Sequence, residues 1–200
     1  MNLPDTACIF RFHKNLTEQY GMGTIGALGW KTAGGQQARF KILTRIADLN
    51  NYSVLDAGCG HGDLREFLGR LYPAVEYYGV EQIPAILNVA VSRYSHLAKT
   101  WFFQGDFSAS VLPGVDYLLA CGALSYRNSD SQFVLKMIEK LFSGCRLGFG
   151  FNLLSKTDFD DGLLAAYNPD HIKAFCLTLT HKVILHKGYF EDDFTIFMYH

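Results

Sequence analysis

The sequence predicts an α/β fold, a doubly wound, mostly parallel seven-stranded sheet ending in an antiparallel C-terminal hairpin. Three observations carry this. Short apolar runs alternate with helix-period segments from about residue 53 to the end. The first run, SVLDAG (Ser53–Gly58), is stopped by glycine and followed directly by a glycine-rich turn, as a buried parallel strand leading into a helix should be. The last two runs are joined by the short turn Phe190–Asp192, which only antiparallel neighbours can share.

The elements follow in order. Leu64, Phe67, Leu68 and Leu71 recur at helical spacing, and the helix closes near Tyr72-Pro73. A second strand, Val75–Glu81, leads to Pro84 in the first turn of a helix that buries Ile86, Leu87, Ala90 and Val91. Thr100–Phe103 and Val115–Cys121 are the third and fourth strands. Asn128, Ser129 or Asp130 then caps a helix with Val134, Met137, Ile138 and Leu141 on one side. Cys145–Leu154 is the fifth strand, and Asn168-Pro169 starts a helix running through about Leu179. His181–Tyr189 and Asp193–His200 complete the sheet. Upstream, the glycine-rich stretch Gly21–Gly35 reads as a mobile loop feeding a helix from about Gln36 to Leu49. Residues 1–200 are read as one domain, with 1–35 as a lid and 36–200 as the core; an N-terminal linker is the alternative reading of 1–35.

Composition bounds the function. With 49% hydrophobic and 14% aromatic residues the chain can build a sizeable core. Eighteen Lys and Arg against nineteen Asp and Glu give a formal charge of −1, which does not favour sequence-blind nucleic-acid binding. No apolar run reaches the length of a membrane span, and Asp5 interrupts any secretory leader. The cysteines (Cys8, Cys59, Cys121, Cys145, Cys176) are widely spaced and without a Cys-x-x-Cys pair. That pattern fits neither a disulfide framework nor a zinc site and suits the cytoplasm.

The chemistry concentrates in LDAGCGHGDL (Leu55–Leu64). Gly58, Gly60 and Gly62 permit a tight turn and close approach of backbone to a ligand. The G-x-G-x-G spacing differs from a dinucleotide fingerprint, and Asp56 stands immediately before the turn, where a pyrophosphate would be repelled. A ligand carrying an ammonium and a sulfonium tolerates that acid, which favours S-adenosylmethionine. Glu81 ends the second strand, 25 positions after Asp56, and can accept from both ribose hydroxyls. Asp106 follows the third strand and can accept from an adenine amino group. Each carboxylate alone reads as a solvated strand end. Three at consecutive strand ends on one sheet edge point to a ligand.

With these residues in place the chain resembles the class I S-adenosylmethionine-dependent methyltransferases over roughly residues 36–200. VLDAGCGHG matches the first motif of that family, Glu81 its ribose-holding acid, and Asp106 with Phe107 its adenine-binding turn. The resemblance implies that Asp56, Gly58, Cys59 and Gly60 line the methionine end, that Gln82 accompanies Glu81, and that Cys121 and Gly122 edge the site. In ubiquinone-type O-methyltransferases and their relatives an arginine seventeen residues before the first acid pairs with the methionine carboxylate. Arg39 occupies that position here.

Methyl transfer needs alignment of the acceptor and exclusion of water more than it needs a reactive side chain. Tyr126, in CGALSYR (Cys121–Arg127) after the fourth strand, is the candidate catalytic residue, positioning an acceptor or contacting the sulfonium. No histidine is singled out as a base. His13 falls in the lid, and His61, inside the glycine turn, is expected to point outward. Cys121 lacks the preceding proline of cytosine carbon-5 methyltransferases, and no amino-methylating Asn/Asp-Pro-Pro loop follows the fourth strand. The leading expectation is transfer to an oxygen or nitrogen of a small molecule, with no metal. A methyltransferase acting on RNA or protein, using a basic groove around Lys31, Arg39 and Arg127, is the second reading. A non-catalytic cofactor-binding protein is the third.

Overall fold

The computed structural model describes residues 1–158 and 162–200. Seven strands form one sheet: β1 (Ser53–Ala57), β2 (Glu76–Glu81), β3 (Thr100–Gln104), β4 (Val115–Ala120), β5 (Cys145–Leu154), β6 (Lys182–Lys187) and β7 (Asp193–Tyr199). Their order is β3-β2-β1-β4-β5-β7-β6, and β7 runs antiparallel to both of its neighbours. Chain direction in the sheet reverses its spatial progress between β1 and β4, the switch point at which α/β sheets hold ligands.

Alternation along the central strands sends neighbouring side chains to opposite faces. Leu55 and Leu118 join a core with Ile138 and Leu141 of α5 (Phe133–Ser143) and Cys176 of α6 (Pro169–Leu179). Val54, Tyr77 and Leu119 face the other way, toward Phe40 and Leu43 of α2 (Ala33–Leu43) and Leu64 and Leu68 of α3 (Asp63–Leu71). The predicted cap of α6 is present: Asn168 accepts from the backbone N–H of Asp170 at 2.9 Å and of His171 at 3.1 Å.

Two local expectations are corrected, and one further element is found. The N-terminal region holds a regular helix, α1 (Leu3–Tyr20), capped by Asn2, whose side chain accepts from Asp5 N–H, and opened by Pro4 in its first turn. The glycine-rich stretch is partly helical as well. Gly26–Leu28 forms a 3₁₀ turn, and α2 starts at Ala33 because Thr32 caps it through Gly35 N–H at 3.0 Å. That helix stops at Leu43 and tightens into a 3₁₀ turn over Thr44–Ile46, instead of continuing to Leu49. Finally, α5 has Gln132 before its first residue and no side-chain cap. Asp130 turns the chain too early, accepting from Gln132 N–H, while Ser129 is drawn off to Asp5 of α1 by two hydrogen bonds.

Ile9 of α1 packs on Ile83 and on Ile86 of α4 (Pro84–Tyr94), which lays α1 across the end of the sheet where β1 and β2 finish. Arg93 of α4 donates to Gly23 O at 2.6 Å and ties the stretch after α1 to the same side. Among the described residues, no helix is long and apolar enough to cross a membrane.

Candidate active site

The turn after β1 needs its glycines. Gly58, Gly60 and Gly62 all have positive φ, at 78°, 56° and 77°, where a side chain is strained. Space forbids one too: a Cβ on Gly58 would lie 2.7 Å from Ala123 Cβ. The N–H groups of Gly58 and Cys59 both donate to Val80 O, locking the turn onto the end of β2.

A cavity of about 850 Å³, its open mouth included, lies over this turn. Every sequence-predicted site residue except Arg39 lines it. Asp56 is buried. Its Oδ2 accepts from Tyr77 Oη at 2.6 Å, while its Oδ1 has no partner. Burial, with lesser help from Glu81 and Asp63, pushes the Asp56 carboxyl up to about 7, against the Tyr77 hydrogen bond that pulls it down. Glu81 is also buried and raised by desolvation. Its Oε1 accepts from Ile83 N–H at 2.8 Å and its Oε2 from Gly60 N–H at 3.2 Å, so one carboxylate fixes both the turn and the start of α4. The neighbouring Gln82 Oε1 is buried without a partner. Asp106 holds Ser108 N–H at 2.8 Å, and the Met1 amine stands 3.8 Å from its other oxygen.

Lone acceptors at Asp56 and Gln82 are costly unless a donor reaches them. They face the same cavity as Glu81 and Asp106, and glycine keeps its floor bare. An ammonium, a ribose diol and an adenine amino group supply donors of the kind this set lacks, so the residues fit S-adenosylmethionine. Phe107 adds a flat apolar wall close to Gly58.

On the β4 side, Gly122 has φ 70°, and its N–H donates to Asn152 Oδ1 at 2.9 Å. Asn152 therefore secures the loop after β4. Burial raises the Cys59 and Cys121 thiols, which keeps both as neutral, small walls. Arg39 forms a two-pronged ion pair with Asp193, Nη2–Oδ1 at 2.8 Å and Nε–Oδ2 at 2.7 Å, with its guanidinium 4.6 Å from the Trp30 ring centre. It stands beside the cavity wall and is already held by a carboxylate of the chain itself.

Residues of the stretch read as a lid form the roof, but the sequence singles none of them out as a site residue. His13 of α1, Leu28 and Trp30 all line the cavity, Leu28 over Gly60 and Trp30 over Gly122. His13 is buried, with Nδ1 3.0 Å from Ala27 O and Nε2 2.7 Å from Tyr126 Oη. Burial lowers its pKa below the usual imidazole value and raises that of the Tyr126 phenol. His61 does not point outward as expected: it is buried with neither ring nitrogen bonded, and its pKa is lowered to about 4 by burial. Among the described residues, no group of three or more His, Cys, Asp or Glu side chains is placed to hold a metal ion.

Residues 54–143 match the methyltransferase domain family. The chain is 27% identical over 109 residues to a putative methyltransferase of Mycobacterium tuberculosis, covering 52% of this chain and 64% of that protein. It is also 27% identical over 97 residues to an uncharacterized protein of Methanocaldococcus jannaschii, covering 47% of this chain and 26% of that one. It thus spans less than two thirds of either curated relative. The fold matches magnesium protoporphyrin IX methyltransferase of Synechocystis PCC 6803 crystallised with S-adenosylhomocysteine, at a TM-score of 0.73 and 15% identity, covering 98% and 99% of the two chains. It also matches human N-acetylserotonin methyltransferase in complex with S-adenosylmethionine, at a TM-score of 0.68 and 17% identity, covering 96% of this chain and 57% of that one. Over residues 54–143 the chain thus resembles a methyltransferase domain, and its fold is that of the class I methyltransferases. The methyl donor of that class is S-adenosylmethionine.

Proposed function

We propose that this protein transfers a methyl group from S-adenosylmethionine to an oxygen or nitrogen of a small molecule. The observation that carries the reading is the set of carboxylates at the ends of three successive strands, with partnerless acceptors on Asp56 and Gln82, around a turn only glycine can make. When bound, the donor supplies a methyl carbon already activated by a positive sulfur. The chain's own work is to bind, align and exclude water, and alignment can be worth on the order of 7–11 kcal/mol.

Asp56 receives the ammonium of the methionine moiety, and Gly58, Cys59 and Gly60 leave the backbone open to it. Glu81 takes the ribose hydroxyls; Gln82, Asp106 and Phe107 take the adenine. Arg39 is assigned the methionine carboxylate, which it reaches only by sharing or releasing Asp193. Cys121 and Gly122 edge the reacting carbon, and Tyr126 positions the acceptor.

A small acceptor suits a cavity roofed by α1, Leu28 and Trp30. The cations that an RNA groove would use each have a partner within the chain, which supports the small-molecule reading. Lys31 pairs with Asp158, Arg39 with Asp193, and Arg127 donates to the carbonyls of Gly162 and Leu164. Two proteins of like fold are named for small acceptors, a porphyrin and N-acetylserotonin. The cysteines of the structure are free, which suits action in the cytoplasm.

The test is transfer of labelled methyl from S-adenosylmethionine into extract of the source cells, separated into small-molecule and macromolecular pools. Protein-dependent label in the small-molecule pool is expected. Label only in RNA or protein transfers the function to the macromolecular class, and a protein that binds the donor yet labels nothing is a non-catalytic binder.

A further inference from the structure

His13 and Tyr126 are 113 positions apart, on α1 and on the loop after β4, yet their side chains meet at 2.7 Å inside the cavity. The carbonyl of Ala27 can only accept, so His13 Nδ1 carries a proton and donates it there at 3.0 Å. In the neutral ring Nε2 is then an acceptor, and Tyr126 Oη must be the donor to it. The phenol oxygen keeps lone pairs for one more partner, and the cavity that Tyr126 lines is where that partner can sit.

We propose that Tyr126 and His13 form a proton relay for the acceptor, and that the acceptor group is therefore a neutral hydroxyl. This rests on the methyltransferase reading above. In the step, the acceptor oxygen forms its bond to the methyl carbon while the carbon–sulfur bond parts with its electron pair to sulfur. The acceptor O–H proton passes to Tyr126 Oη as the Tyr126 proton passes to His13 Nε2, leaving a neutral ether, a neutral thioether and an imidazolium still bonded to Ala27 O. The proton leaves to solvent when the site opens. A carboxylate acceptor has no proton to give and would meet Asp56 and Glu81 in the same cavity, so its charge is doubly out of place. Tyr126 touches the acceptor and is the catalytic residue; His13 acts through it as a positioning and proton-storing residue.

The surroundings of His13 agree with a base kept neutral. The titratable groups around it are Tyr126 from the β4 loop, His61 from the glycine turn and, toward Tyr126, Glu81 at the end of β2. Desolvation holds both imidazoles below their ordinary range, and among the described residues no ion pair involves His13. Because α1 carries His13, the relay is assembled only while α1 lies across the site.

The experiment uses the full chain, His13→Gln and Tyr126→Phe, with labelled S-adenosylmethionine at saturation and cell extract as the acceptor source. Gln keeps an acceptor for the Tyr126 hydroxyl but takes no proton. Calorimetric binding of S-adenosylhomocysteine within threefold of the unaltered protein shows that each variant's site is intact. The unaltered protein should transfer label at a rate that falls as the pH drops through the range of His13, below about 6.5. His13→Gln should lose on the order of 10²–10⁴-fold in rate and lose that acid limb, and Tyr126→Phe should fall comparably. Saturating donor removes Asp56 ionisation from the profile. The labelled product should withstand alkali, which frees methanol from methyl esters, and should yield methyl iodide in hydriodic acid, as methyl ethers do.

An unaltered acid limb and rate in His13→Gln overturn the relay while leaving methyl transfer standing. Label released by alkali, or retained on nitrogen, overturns the hydroxyl assignment in the same way. Absence of transfer by the unaltered protein overturns the methyltransferase reading itself, and the relay with it.

Discussion

Glu81 is the side chain whose loss separates ligand binding from folding most cleanly. Its two oxygens are each engaged once by the backbone, at Ile83 N–H and Gly60 N–H, and each keeps a lone pair for a ribose hydroxyl. Glu81→Ala removes two prospective charge-assisted bonds to the ligand. Since water in the cavity recovers part of each, the expected loss of affinity for S-adenosylhomocysteine is roughly 1–3 kcal/mol, or about 5- to 150-fold in Kd. Stability responds less. The variant orphans two N–H groups but also relieves the burial of a carboxylate that desolvation already disfavours, so the chain should lose only about 1–2 kcal/mol. Calorimetric titration at pH 7.5 reads the first quantity and urea unfolding the second. A folded Glu81→Ala protein with a dissociation constant within twofold of the parent would falsify the placement of the ribose at the end of β2.

Three further perturbations follow from the same geometry. Gly58→Ala forces a Cβ into a positive-φ position and to 2.7 Å from Ala123 Cβ, so urea unfolding should show a loss of about 2–5 kcal/mol; a change below 0.5 kcal/mol, roughly the scatter of an innocuous substitution, contradicts the turn. Asp56 has a carboxyl at about 7 in the unliganded protein, and an ammonium would draw it down, so binding releases a proton and S-adenosylhomocysteine affinity should rise from pH 5.5 toward 7.5 and then level. That slope should vanish in Asp56→Asn, and calorimetry across the range that finds it unchanged removes Asp56 from the ammonium site. Arg39→Ala strands the buried Asp193 carboxylate and should cost about 3–5 kcal/mol in urea. If Arg39 also meets the methionine carboxylate, its smaller substitution Arg39→Lys should weaken S-adenosylhomocysteine more than 5′-methylthioadenosine, which lacks that group; equal weakening denies the contact.

What could be read in advance was what is local. The glycine turn, the acids behind it and the strand ends announce themselves because each strand is a short apolar run closed by a turn residue, and parallel strands place those ends together. The C-terminal hairpin was legible because three residues cannot carry a crossover. The roof was legible only in part. In α1 Ile9 and His13 are buried and Phe12 and Leu16 half-buried, a face at helical spacing that, with Asn2, Pro4 and Asp5 as a start signal, the sequence did offer. His61 turns inward because Leu28 and α1 close over the glycine turn, a packing event with no trace in the motif. The His13–Tyr126 contact depends on where α1 lands, which residues near either position do not encode. Arg39 sits at the expected place in the chain, but its partner in the structure is Asp193, 154 positions away.

The central claim is that the cavity over the Gly58–Gly62 turn is built for S-adenosylmethionine, and calorimetry of the folded protein, freed of any carried ligand, with S-adenosylhomocysteine tests it most directly. The account predicts one site of micromolar affinity that Glu81→Ala weakens. A folded, ligand-free protein that binds none would contradict the cavity's assignment and everything built on it.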